Sequence, residues 1–253
     1  MTKINYTKIN NFISSDVMKP FYEKRLEKLT ELNLNTILKR KNPYLFKAKN
    51  IETSGEFVKY ILDAYLSSQE ETMFGNLLEK LAIFVCQQTF GGKKATEGIL
   101  KSVDLEFERE KKYYIVGIKS GIYWGNKDQK DKMMQNFKKA KDILKKNGIK
   151  KEIIAVNGCI YGKDNKPLKE QKDKEQNYYK ICGQEFWELI SGDENLYKQI
   201  ILPLDKEAKK RSEYFKEIYA GKSNEMIKQF SEGFLTKKGQ IDWEKMIDFV
   251  SKK

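Results

Sequence analysis

Two side chains of opposite charge are placed to act together in the stretch VDLEFEREKKYYIVGIKSG, Val103 to Gly121. Val103, Leu105 and Phe107 alternate with Asp104, Glu106 and Glu108, the period of a half-buried strand. EKK turns the chain, and YYIVGIKSG returns as a more buried strand. A turn between Glu110 and Lys111 sets Asp104 opposite Gly117, with Lys119 two residues further along the same face. The face carrying Asp104, Glu106 and Lys119 is expected to be polar and its reverse aliphatic. Phosphodiester hydrolysis needs this local chemistry: a carboxylate for a divalent cation, and a lysine near the attacking water or the scissile phosphate. The cation lowers the pKa of the water and neutralises charge in the transition state. The backbone carbonyl of Ile118 can add one more oxygen. A solvated hairpin face with incidental charges would show the same pattern.

A third candidate lies upstream. In FGNLLEKLAIF, Leu77, Leu78, Leu81 and Ala82 form a buried helical stripe with Glu79 at its border. A helix preceding the hairpin can lay that carboxylate over the strand ends, although a solvated helix glutamate reads the same way.

The elements around these residues follow from periodicity. The segment from about 16 to 40 reads as one or two helices, and NPYLFKAKN as a connecting loop. Ser54 can cap a helix burying Phe57, Ile61 and Tyr65, and a second helix is expected from about Glu71 to Gln88, stopped by Gly91 and Gly92. After the hairpin, a lysine-rich helix fits KDQKDKMMQNFKKAKDILKKNG, with Met133, Met134, Phe137, Ala140, Ile143 and Leu144 inward and Gly148 at its end. KEIIAVNGCIYG is a buried strand, GKDNKPLKEQKDKEQN a charged surface loop, and the remainder after YYKICGQEFWELISG mostly helical. The expected fold class is α/β, a mixed central sheet flanked by helices with helical N- and C-terminal extensions. The expected division is a helical region over 1–70, a catalytic core over 71–165 and a helical region over 166–253 packed on that core as one compact domain.

Composition narrows the chemistry. The 253 residues contain no histidine, which excludes Ser-His-Asp and Cys-His hydrolases, HNH-type nucleases and His-ligated zinc sites. The formal net charge of +13 suits a polyanionic partner. It is carried almost wholly by lysine, which suits diffuse phosphate attraction, whereas bidentate reading of guanine prefers arginine. Cys86, Cys159 and Cys182 lie in apolar contexts and are expected as buried free thiols of a cytoplasmic protein. No run of apolar residues is long enough for a membrane span, and MTKINYTKINNFISSDV lacks a signal peptide's apolar region.

Taken together, ETMFGNLLEKLAIFVCQQTFGG, VDLEFER, YIVGIKSGIYWGN, AVNGCIYG and GQEFWELISG resemble type II restriction endonucleases of the PmeII group, which are similar in core layout to the PD-(D/E)xK nuclease superfamily. The resemblance runs from about residue 20 to the C-terminus and includes TILKRKNPYLFKAKN. It implies that Asp104 takes the place of the motif's first acid, Lys119 its lysine and Glu79 the helix acid. Asp104, Glu79 and the Ile118 carbonyl would hold Mg²⁺, for which Mn²⁺ can substitute, and Lys119 would orient or deprotonate the attacking water. It further implies site-specific cleavage of double-stranded DNA leaving 5′-phosphates, and a homodimer matching a palindromic site. The chain departs from the motif at Val103, where proline is usual, and at Gly117, where the motif has its second acid. Glu79 is the first choice to replace that acid, ahead of Glu106, Asp128 and Asp131.

Just past Lys119, SGIYWGNKDQK offers Ser120, Tyr123, Trp124, Asn126, Lys127, Gln129 and Lys130 as DNA-binding candidates, while a helix entry packed by Trp124 explains the same text. GIY at 121–123 lacks the following strand of GIY-YIG nucleases, and GGKK at 91–94 lacks P-loop spacing. Two rivals stay open: a structure-specific repair or recombination nuclease, and a catalytically silent DNA-binding protein.

Overall fold

The structure, a computed structural model, describes residues 3–95, 100–164 and 178–253. Most of the charged loop expected at GKDNKPLKEQKDKEQN lies outside the described residues. The chain divides into two compact units, one of Met1–Val17 with Gly75–Lys206, the other of Met18–Phe74 with Glu207–Lys253.

The first unit holds a five-stranded sheet in the order β1 (Lys93–Lys94), β2 (Leu105–Arg109), β3 (Lys112–Lys119), β4 (Glu152–Cys159) and β5 (Tyr179–Cys182). The first three strands pair antiparallel, and β3-β4 and β4-β5 pair parallel, so the sheet is mixed as expected. Arg109 pairs with Lys112 across the hairpin. The two turn residues, Glu110 and Lys111, both take positive φ, 52° and 64°, the conformation of a two-residue type I′ turn. Parallel pairing of β3 with β4 requires a crossover, supplied by α6 (Lys127–Lys146). Neither β1 nor β5 was anticipated: two residues, and four of mixed polarity, show no readable period.

Helix α6 turns its apolar stripe to the sheet. Met133, Phe137, Ala140 and Leu144 form one cluster with Val103, Tyr113, Ile115, Ile153 and Ala155. The other sheet face carries Leu105 and Phe107, met by α5 (Ser54–Phe90) and α7 (Gln184–Ser191). Phe90 stacks on Phe107 with centroids 5.8 Å apart, and Phe107 on Tyr114 at 4.9 Å. Gly158 lets Phe186 of α7 lie against β4: a Cβ there would stand 2.5 Å from its ring. This corrects the expectation of one polar and one aliphatic face. Ile115 pairs with Glu106 and so shares its side of the sheet, which α6 buries.

The expected pair of helices at 54 and 71 is also corrected, since α5 is continuous over 37 residues. Leu66 to Met73 contains neither proline nor glycine, and the Thr72 hydroxyl donates to the Ser68 carbonyl one turn back at 3.2 Å, so nothing breaks the helix. The rest of the first unit's helices are α1 (Tyr6–Phe12), a π-helical turn at Ile13–Met18, α8 (Leu196–Gln199) and the start of α9 (Ile201–Phe234).

The second unit is helical: α2 (Lys19–Thr30), α3 (Leu34–Leu38), α4 (Pro43–Ala48), the first part of α5, most of α9, and α10 (Trp243–Ser251). Asn33 and Asn42 cap α3 and α4 with their side-chain oxygens, which makes NPYLFKAKN a short helix rather than a plain loop. Its core is aromatic. Phe57 stacks on Phe230 at 4.6 Å and meets Phe46 and Trp243 edge-on.

Candidate active site

Asp104 precedes β2 and is held by backbone on both sides. Its N–H donates to the Val116 carbonyl at 2.8 Å, and its carboxylate Oδ2 accepts the Ile118 N–H at 2.6 Å. Continuing the register one step past Leu105↔Val116 sets Asp104 beside Gly117, as expected from the sequence. N–H and C=O of one strand residue point to the same edge, so the Ile118 carbonyl also faces the edge where Asp104 lies. Lys119, the last residue of β3, brings Nζ to 4.0 Å from Asp104 Oδ2, both side chains about a quarter to a third exposed. The ammonium also sits 5.4 Å from the centroid of Trp124. At that separation the pair is loose, and the lysine is free to engage another anion.

Glu79 arrives from α5. Gly75, one turn before it, makes the approach possible: a Cβ at 75 would stand 2.2 Å from Ser120 Oγ. Residues four apart share a helix face, so the face pressed on Ser120 is the one that carries Glu79. The carboxyl is half-buried and pushed above the ordinary glutamate range, first by burial and then by the Asp104 carboxylate. Lys119, Lys94 and Lys80 pull it back down. Glu79, Asp104 and Lys119 therefore feel one another, as two acids and a base gathered from three elements.

Gly117 has no room for the acid that the resemblance would put there. A Cβ there would meet the Ser102 carbonyl at 2.6 Å and Phe137 of α6 at 3.3 Å. Glu106, a lower-ranked substitute, is committed elsewhere. It is buried, accepts the Tyr113 hydroxyl at 2.7 Å and faces Lys93 at 3.3 Å. Asp128 is exposed in the first turn of α6, and Asp131 acts on the Tyr178 phenol.

The segment after β3 divides by role. Asn126 and Gln129 form a capping box at the start of α6, each side chain bonded to the other's backbone N–H at 3.0 Å. Trp124 packs on the α6 cluster, its buried indole N–H without a partner. Ser120, Lys127 and Lys130 are exposed, and Tyr123 is 94% exposed. Sequence reasoning missed Gly75, whose only signal is a glycine four residues before an acid in a helical run. It also missed Asn157 of β4, in register with Gly117 and buried with its side-chain oxygen unpartnered.

A cavity of about 800 Å³ nearby is lined by Leu78, Tyr161, Trp187, Tyr197 and Ile200 among others, but by none of Glu79, Asp104 and Lys119. Two carboxylates and a carbonyl are hard oxygen donors, which suit Mg²⁺. Among the described residues no group of three or more His, Cys, Asp or Glu could hold a metal. An ion at this site would thus take its remaining oxygens from backbone and water, a usual arrangement for Mg²⁺.

A family model described as type II restriction endonuclease EcoO109I matches residues 7–212. The chain belongs to that family. The EcoO109I-family match takes in the whole sheet, α6 and the three residues of the site, and it gives the mixed α/β architecture a restriction-endonuclease setting. It carries the endonuclease class expected from the sequence and the DNA substrate that class implies, but not the narrower PmeII grouping. No curated protein matches this EcoO109I-family chain. Among the described residues, none of its helices is long and apolar enough to cross a membrane.

Proposed function

We propose that this protein is a Mg²⁺-dependent endonuclease that cuts double-stranded DNA at a specific site and leaves 5′-phosphates. The observation that carries the reading is the convergence of Glu79, with its carboxyl raised by burial and by Asp104, on the Asp104–Lys119 pair. Two partly buried carboxylates that repel each other, with Lys119 offsetting only part of the repulsion, favour a divalent ion between them. Asp104, Glu79 and the Ile118 carbonyl would hold Mg²⁺, or Mn²⁺ in its place. When bound, the ion supplies charge neutralisation at the scissile phosphate and a lowered water pKa. Lys119 orients the attacking water. Attack on phosphorus breaks the bond to the 3′-oxygen, which leaves with a proton, and the phosphate stays on the 5′ side. Ser120, Tyr123, Lys127 and Lys130, exposed beside Lys119, contact the duplex backbone. A homodimer places two such sites on the two strands of a palindrome.

The test is a digest of long, sequence-diverse DNA with Mg²⁺, followed by mapping of the fragment ends. Discrete fragments with 5′-phosphate ends are expected. Continuous degradation, or cutting confined to branched DNA, would indicate a structure-specific nuclease. Intact DNA bound in every metal tried would indicate a silent DNA-binding protein.

A further inference from the structure

We propose a second DNA contact in the helical unit, a cationic patch at residues 39–49 that grips the phosphodiester backbone of duplex DNA. This rests on the reading that the protein takes duplex DNA as substrate. Between Glu31 and Glu52 the chain has no acidic residue, while Lys39, Arg40, Lys41, Lys47 and Lys49 fall within eleven positions. Lys39, Arg40, Lys47 and Lys49 are exposed.

What holds these cations differs from what holds the carboxylate-paired lysines of the unit. Several of its other lysines face carboxylates, among them Lys19 with Glu23, Lys28 with Glu31, Lys216 with Glu213 and Lys252 with Asp248. In the patch, three ammonium groups lie over rings instead, Lys39 over Phe249 at 5.4 Å, Lys47 over Trp243 at 5.3 Å and Lys49 over Tyr60 at 5.1 Å. Lys41 donates to the Ala64 carbonyl at 3.2 Å. A ring or carbonyl steadies the side chain but leaves its full positive charge, whereas a carboxylate cancels it. The outcome is a set of positioned, unneutralised cations, which is what releases counterions from a phosphate backbone. Tyr44 and Leu45, 61% and 50% exposed, rise from the same short helix as Lys47 and give the patch apolar contact area for sugar faces. Arg40 adds a planar donor suited to phosphate.

The test is the salt dependence of binding to a random-sequence duplex in EDTA, where no cutting occurs. The variant joins Lys39→Gln, Arg40→Gln, Lys47→Gln and Lys49→Gln. Its control joins Lys19→Gln, Lys28→Gln, Lys216→Gln and Lys252→Gln, which removes the same charge from carboxylate-paired positions. Log affinity against log salt should lose about 0.9 of slope per phosphate contact, hence about 3 to 4 for the patch variant and under about 1 for the control. A milder Lys39→Gln, Arg40→Gln double variant, which leaves the α4–α10 packing intact, should lose about 2. Equal slopes in wild type and both patch variants, or an equal loss in the control, would overturn the proposal. So would loss of binding to phosphatidylserine vesicles with no change of slope on DNA. If the patch fails while wild type still yields discrete fragments in Mg²⁺, the endonuclease reading stands. If wild type neither binds nor cuts any DNA, both fall.

Discussion

Along the β2–β3 hairpin, the polar groups from Glu106 to the turn and those at its open end, from Asp104 to Lys119, are treated in opposite ways. Around Glu106 everything is matched: a buried carboxylate takes a hydroxyl from Tyr113 and a cation from Lys93. Nearer the turn, Arg109 donates to the Glu188 and Leu189 carbonyls and lies over Phe90. At the open end the matching is incomplete. Lys119 stands 4.0 Å from Asp104, Glu79 is out of its ordinary range, and the Trp124 indole and Asn157 side-chain oxygen are buried without partners. Of the three such orphaned buried atoms among the described residues, two lie at this end of the sheet. Buried polar groups are nearly always satisfied, so this end of the sheet is where the proposed function looks for its site. Under the proposed function, the first stretch serves stability and the open end serves chemistry.

Substitution should separate the two stretches cleanly. Removing either Asp104 or Lys119 as alanine should lower single-turnover cleavage by about 10³-fold or more, with little change in folding, because several kcal/mol of transition-state stabilisation go with them. Glu106→Ala should do the reverse. It strands the Tyr113 hydroxyl and should cost about 1 to 3 kcal/mol in urea unfolding while the folded protein still cuts. A cleavage defect in Glu106→Ala as deep as that of Asp104→Ala would erase the distinction.

Glu79→Gln tests the shared role of the acid end. Cleavage should fall about 10²-fold, yet the metal-free protein should become more stable at neutral pH, by about 2–4 °C in Tm for about 1 kcal/mol. The sign follows from the raised carboxyl. The folded state holds the Glu79 proton more tightly than the unfolded chain does, so stability falls as pH rises through the folded pKa. The advantage of glutamine is therefore present at neutral pH and fades in acid. Wild type and variant melting alike at every pH would remove the argument that two like charges meet here.

Gly117→Asp restores the motif on paper but not in space. The Cβ collides with the Ser102 carbonyl and crowds Phe137, so the variant should lose about 1 to 3 kcal/mol and gain no cleavage. The smallest effect is expected at Trp124. Phenylalanine keeps a ring face for the Lys119 ammonium and should hold kcat within about threefold, whereas leucine should lower kcat more clearly and leave KM unchanged.

How far this was legible in the sequence varies from residue to residue. The hairpin register was readable because the period of two runs unbroken into EKK, and Asp104 opposite Gly117 followed from counting. The apolar stripe of α6 was readable from its spacing, with Ile143 and Met134 at its margin. The burial of Glu106 was not, because its partner Lys93 comes from a two-residue strand that carries no pattern. The crowding at Gly117 was equally hidden, since Ser102 and Phe137 reach it only through tertiary packing. Glu79 stood on the border of a stripe, and only the close approach at Gly75 tells which way it faces.

The most direct test of this active site is single-turnover cleavage of one mapped DNA site in Mg²⁺ by wild type, Asp104→Ala, Lys119→Ala and Glu106→Ala, all checked for folding. The account predicts that the first two variants are silent and that Glu106→Ala cuts at close to the wild-type rate. Cleavage surviving in Asp104→Ala or Lys119→Ala would place the chemistry elsewhere in the molecule.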